Sequence, residues 1–255
     1  MVWRTRRYSL LIALFAMLAG TICTASAGEV RVAVAANFSG VLSEIAERFS
    51  AETGHDVIVS SGSTGLLYTQ IVQGAPFDVF LAADQARPKR LIDEGIANRG
   101  SLFTYAIGRL VLFSTDPDLL KDLSSLENPA IDRLAMANPK TAPYGKVAEE
   151  VLKAHNLLET FESRIVQGAN IAQTYQFVAS GSVDAGFVAL SQVMGRSDGS
   201  RWVVPADQHG VLAQDAVLLL HAGENPVSLA FMSYLRSPGV RKLIESRGYE
   251  APTGP

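Results

Sequence analysis

The sequence predicts an α/β protein of two doubly wound lobes with a ligand cleft between them. Three observations lead there. Short apolar runs alternate with stretches of helical periodicity along most of the 255 residues. The first five elements run strand, helix, strand, helix, strand, an order whose crossovers build a parallel sheet. A second unit of the same kind follows in the same chain, and two such units make two lobes.

In the first unit, residues 30–36 read as a strand. Val41, Leu42, Ile45, Ala46 and Phe49 then recur at helical spacing, and Gly54 supplies a stop. Residues 57–59 form a second strand, followed by the polar, glycine-rich stretch 60–65. A helix over 66–72 ends at Gly74, and 78–83 is a third strand. In the second unit, 110–113, 134–137 and 185–189 are strands. Residues 146–155 form a helix with Val147, Val151 and Leu152 on one face, and 170–179 form another. Residues 216–220 are one more strand. Asn225-Pro226 and Ser237-Pro238, each a cap residue followed by proline, open two closing helices. The expected division is 28–106 plus 214–255 for lobe I and 107–213 for lobe II. The chain should cross between them near Ala106-Ile107-Gly108 and again near 211–215.

Residues 1–27 stand apart. Arg4, Arg6 and Arg7 precede an apolar run at 10–19, and Ala25-Ser26-Ala27 fits a small-x-small cleavage site. This predicts a cleaved signal peptide and export to the periplasm. Removing it takes three arginines, no acid, and Cys23. The 228 residues left carry a net charge of −6 and no thiol. Thiol catalysis, thiolate metal ligation and disulfide bonding are thereby excluded. The acidic balance argues against nucleic acid as a partner.

No catalytic constellation is expected. No G-x-S-x-G elbow, no H-E-x-x-H, no G-x-G-x-x-G and no complete P-loop is expected. His55, His155, His209 and His221 are scattered and read as ordinary structural positions. The carboxylate pairs Asp78 with Asp84 and Glu149 with Glu150 have no partner chemistry in view. What recurs is uncharged helix starts that follow strands: Asn37, then Ser63 and Thr64, then 142–145, then Asn170-Ile171. In open α/β sheets such positions gather at the carboxyl ends of strands, where ligands bind. Helix N-termini offer unpaired N–H groups and about half a positive charge. Several aimed at one point form an anion site without Lys or Arg. The same residues serve as plain N-caps, worth ~1 kcal/mol each, so the pattern by itself leaves both readings open.

Taken in order, these segments resemble the periplasmic molybdate-binding proteins of ABC-type molybdate transport. The carrying stretches are 32–38 (VAVAANF), 60–65 (SSGSTG), 74–80 (GAPFDVF) with 82–84 (AAD), 103–108 (FTYAIG), 138–145 (NPKTAPYG) and 185–190 (AGFVAL). The resemblance implies a type II periplasmic binding fold that closes over a tetrahedral oxyanion, with molybdate or tungstate as ligand. It places Asn37 and Thr64 in the first lobe's half of the site, by side chain and backbone N–H. Tyr144 and Ile171 would give backbone N–H groups from the second lobe, and Ser63 is the alternate hydroxyl. Some members carry Ser at the Asn37 position and a Tyr ligand at the Ala189 position. This chain resembles the subgroup with Asn and without that Tyr. The resemblance further implies no enzyme activity, no cofactor and no site for a bare metal cation. It implies a membrane permease as partner and a monomeric chain.

The chemistry fits. Molybdate is a dianion at neutral pH, so a site made only of donors suits it. Phosphate, partly protonated, would call for an acceptor, and the candidate set has no Asp or Glu. The rival readings are a binding protein for sulfate or another small oxyanion, an exported α/β hydrolase, and a sensory partner of a signalling receptor.

Overall fold

The apolar runs sort into two five-stranded sheets. The computed structural model describes residues 27–252; the expected signal peptide, Ala27 apart, lies outside them. In the first sheet, β1 (Glu29–Ala35) pairs in parallel with β2 (Asp56–Gly62) and β3 (Val79–Leu81). Antiparallel β10 (Leu212–Leu218) lies between β3 and β4 (Phe103–Gly108), giving the order β2-β1-β3-β10-β4. The second sheet has the order β7-β6-β8-β5-β9. Its strands are β5 (Leu110–Ser114), β6 (Leu134–Ala137), β7 (Ile165–Gly168), β8 (Ala185–Ala189) and β9 (Ser200–Val203). Here β5 is the antiparallel member, paired with β8 and β9.

Both sheets are therefore mixed, where the sequence order implied parallel ones. The reason lies in the crossings. β5 arrives directly from β4, and β10 from β9, with no intervening α-helix, so neither is bound by the rule for parallel βαβ units. The chain changes sheet between Gly108 and Leu110 and returns between Val203 and Leu212. The boundaries expected at 106/107 and 213/214 fall inside β4 and β10.

Helices cover both faces of each sheet. α1 (Ser39–Thr53) buries Val41, Leu42, Ile45 and Phe49, as the periodicity required, and ends on Gly54 at φ 73°. With α8 (Pro226–Leu235) and α9 (Pro238–Ser246) it packs on Val30, Val32 and Val34 of β1. α2 (Thr64–Val72) and α3 (Ala86–Asp93) cover the other face through Leu67, Ile71 and Leu91, against Ala33 and Phe80. In the second lobe, α4 (Pro143–Ala154) packs on Leu110, Leu112 and Met136, and α6 (Ile171–Ala179) on Ala135 and Val188. The short α5 (Leu158–Phe161) and α7 (Leu190–Val193) complete the set. Strands apolar on both faces are what a covered sheet needs. Each fully buried Phe or Leu contributes roughly 1.5–3 kcal/mol.

Some elements escaped the sequence reading. β2 runs past the expected 57–59 through Ser60 and Ser61, because they continue the ladder opposite Ala33 and Val34 on an edge strand. α3 buries only Pro88, Leu91 and Ile92 beneath a charged face. The cap-plus-proline signals hold: Asn225 Oδ1 accepts the Val227 N–H at 3.0 Å and Ser237 Oγ the Val240 N–H at 3.3 Å. Among the described residues no helix is long and apolar enough to cross a membrane.

Candidate functional site

Four parallel strands point their carboxyl ends at the space between the lobes: β1 and β2 from one side, β6 and β7 from the other. Each leads directly to one of the uncharged segments singled out from the sequence. There the chain leaves a small hollow of about 10 Å3, on the scale where a single water needs roughly 10–15 Å3. Asn37, Ser63 and Thr64 line it from the first lobe. Tyr144 and Ile171 line it from the second, with the small residues Ala36, Ala83 and Ala142 between. The structure thus brings all five candidate residues to one place, each at most 4% exposed. No Asp, Glu, Lys, Arg or His lines the hollow.

The donors there are of two kinds. The backbone N–H groups of Asn37, Thr64, Tyr144 and Ile171 find no protein acceptor among the described residues. Three of them are first-turn amides of α2, α4 and α6, which a helix leaves unpaired by construction. Their helix dipoles add about half a positive charge each. The second kind is hydroxyl. Thr64 Oγ1 accepts the Ala83 N–H at 3.1 Å, which leaves its own proton to give. Ser63 Oγ is buried and has no hydrogen-bond partner.

Neither Asn37 nor Thr64 caps a helix. The N-cap of α1 is Phe38 and that of α2 is Ser63, and neither makes a side-chain capping bond. The plain-cap reading belongs instead to Asn170, whose Oδ1 accepts the Gln173 N–H at 3.0 Å.

Asn37 departs from expectation in another way. Its amide donates to Gln214 Oε1 at 2.8 Å and to Tyr249 Oη at 3.1 Å, so both side-chain hydrogens are spent inside the protein. Tyr249 Oη donates to the Asn37 carbonyl at 2.7 Å, and Tyr105 Oη approaches Gln214 Oε1 at 3.0 Å. Gln214 Nε2 donates to Tyr144 Oη at 3.4 Å. A buried network therefore holds the Asn37 backbone in place, and its N–H is the group left for the hollow. Burial pushes the Tyr249 phenol up to about 12 and those of Tyr105 and Tyr144 well above the ordinary tyrosine value. All three stay neutral.

Gln214, Tyr249 and Ser191 were not singled out from the sequence. Ser191 Oγ reaches across the cleft to the Asn37 carbonyl at 3.2 Å. The available signal was Gln214-Asp215, a polar pair inside the otherwise apolar run of β10, both buried.

The expected absence of a G-x-S-x-G does not hold for the chain as written. Gly195-Arg196-Ser197-Asp198-Gly199 spells the G-x-S-x-G of a hydrolase elbow. That motif requires a strand-to-helix turn, whereas this stretch leads from α7 into β9. Ser197 is exposed, and among the described residues no hydrogen bond joins it to a histidine. Nor does any group of three His, Cys, Asp or Glu among the described residues form a cation cage.

Residues 30–250 match the family model of the bacterial extracellular solute-binding proteins. The molybdate-binding protein ModA of Rhodobacter capsulatus is 45% identical over 234 residues, spanning 92% of this chain and 93% of that protein. ModA of Azotobacter vinelandii is 48% identical over 231 residues, spanning 89% and 92%. The solved structure of the Azotobacter vinelandii periplasmic molybdate-binding protein superposes with a TM-score of 0.85 at 39% identity, covering 88% of this chain and 100% of that one. Two lobes facing a shared hollow, a family model over nearly the whole described chain and relatives of such similarity place this chain among the bacterial extracellular solute-binding proteins.

Proposed function

We propose that the protein captures molybdate in the periplasm and hands it to the membrane permease of an ABC importer, tungstate being an equal fit. One observation carries this reading: neutral donors from both lobes converge on a small buried hollow that no charged side chain lines. A tetrahedral dianion can accept from the N–H groups of Asn37, Thr64, Tyr144 and Ile171 and from the hydroxyls of Thr64 and Ser63. Each charge-assisted bond is worth about twice a neutral one, which offsets the cost of burying the charge. A hollow without a carboxylate suits a fully deprotonated ion better than one that must donate a proton.

The similarity to ModA proteins supports the choice of molybdate. Both halves of the site must meet, so the ion shifts an open–closed equilibrium toward the closed form that a permease reads. The two strand crossings, at 108–110 and 203–212, are where that hinge would lie, with lobe I before the first and after the second and lobe II between them. The chain acts as a monomer, and residues 1–27 direct its export.

Calorimetry with molybdate, tungstate, sulfate and phosphate tests the reading. Molybdate and tungstate should bind with similar heats and raise the melting temperature by mass action, about 2.7 kcal/mol of stability at a hundredfold excess over Kd. Tight sulfate binding with no molybdate heat would overturn it.

A further inference from the structure

Besides the Ser191–Asn37 and Gln214–Tyr144 contacts, two hydrogen bonds to consecutive carbonyls join the lobes beside the hollow. The Gly65 N–H donates to the Thr141 carbonyl at 2.8 Å, and Arg87 Nη2 donates to the Lys140 carbonyl at 3.3 Å. Lys140 and Thr141 belong to the turn that leads into α4, so these contacts govern how closely the Tyr144 N–H approaches the first lobe.

Gly65 is the second residue of α2, and its φ is not positive. Any L-residue could hold that backbone, and a helix ordinarily favours alanine over glycine. Its missing side chain has a different cause. A Cβ on Gly65 would stand 3.0 Å from Thr141 Cα and 3.0 Å from the Thr141 carbonyl oxygen. Both atoms belong to the opposite lobe. The third of its nearest neighbours, also at 3.0 Å, is the end of the Arg87 side chain in its own lobe, which can swing aside. The crowding against main chain thus lies across the cleft, and the movement that relieves it is a slight opening.

We propose that Gly65 is the closure stop: a positioning residue that fixes how far the lobes approach and so brings the two halves of the donor set within reach of one ion. This rests on the oxyanion reading of the hollow. Opening by a few tenths of an ångström stretches the Gly65–Thr141 bond and pulls Tyr144 and Ile171 away from Asn37 and Thr64. Hydrogen bonds weaken on such stretching.

The test separates closure from folding. Gly65→Ala, Gly65→Val and the control Gly239→Ala are titrated with molybdate, and each is melted without the ion. Gly239 is also the second residue of its helix, α9, and no atom lies within 4 Å of a Cβ placed there. Gly65→Ala should weaken molybdate binding about ten-fold, the worth of one charge-assisted hydrogen bond, chiefly through faster release. Its ion-free melting temperature should be no lower than that of the wild type. Gly65→Val should bind more weakly still, and Gly239→Ala should bind as the wild type does. Wild-type affinity in Gly65→Ala would overturn the proposal, as would an affinity loss matched by loss of ion-free stability. A wild-type protein that binds no oxyanion would instead sink the reading of the hollow itself.

Discussion

The two walls of the hollow are built on different principles. The first lobe presents the side-chain hydroxyls of Ser63 and Thr64, next to the main-chain N–H groups of Asn37 and Thr64. The second presents Tyr144 and Ile171, whose side chains are packed away in the core and whose contribution is main-chain N–H alone. On the first wall a residue's identity is the chemistry. On the second, the path of the chain is the chemistry, and identity only secures the packing. Mutations should therefore act differently on the two sides.

The sharpest contrast is at Ile171. It is the first residue of α6, where proline is favoured, and Asn170 before it is extended at φ −153°, ψ 174°, as a residue preceding proline should be. Ile171→Pro deletes one N–H and leaves the helix standing. Oxyanion affinity should fall by about 1.5–3 kcal/mol, whereas Ile171→Val should bind normally. Calorimetry of the pair decides it, and equal affinities would mean that the N–H is not a donor.

Thr64→Ala comes next. It should cost ~1–2 kcal/mol of affinity, and it also strips the Ala83 N–H of its acceptor, so ion-free stability should drop by about 1 kcal/mol. Thr64→Ser should restore both. Asn37→Ala ranks lower, because the backbone N–H survives. Gln214 Oε1 keeps its contact with Tyr105, and Tyr249 still donates to the Asn37 carbonyl. We expect ~1 kcal/mol in affinity and a loss of similar size in the ion-free melt. An affinity loss well above the stability loss would return the Asn37 amide to the list of direct donors.

The smallest effect is on pH dependence. The neutral phenols of the network are favoured by burial, so folding raises their pKa. The stability this lends is present below about pH 10 and is lost as pH climbs toward the Tyr249 value of about 12. Melting curves in alkaline buffer should show that loss, and Tyr249→Phe should blunt it.

Legibility in the sequence followed the same divide. The strand–helix alternation was readable because strands buried on both faces leave unbroken apolar runs such as 185–189. The helix starts were readable because uncharged, glycine-rich turns punctuate those runs. What Asn37 does was not readable, since its partners Gln214 and Tyr249 lie 177 and 212 residues away. Edge strands also escaped: β7 and β9 are four residues each and partly exposed, so neither shows a pattern. The antiparallel strands β5 and β10 could not be oriented from order alone, because nothing local marks a crossing made without a helix.

The lining of the hollow by uncharged groups has an environmental corollary. A pocket built on lysine or arginine projects a field that dissolved ions weaken over roughly 10 Å at 0.1 M salt. Amide dipoles sealed against their guest are shielded far less. Grip on the cargo should thus hold steady as the salinity around the cell rises and falls.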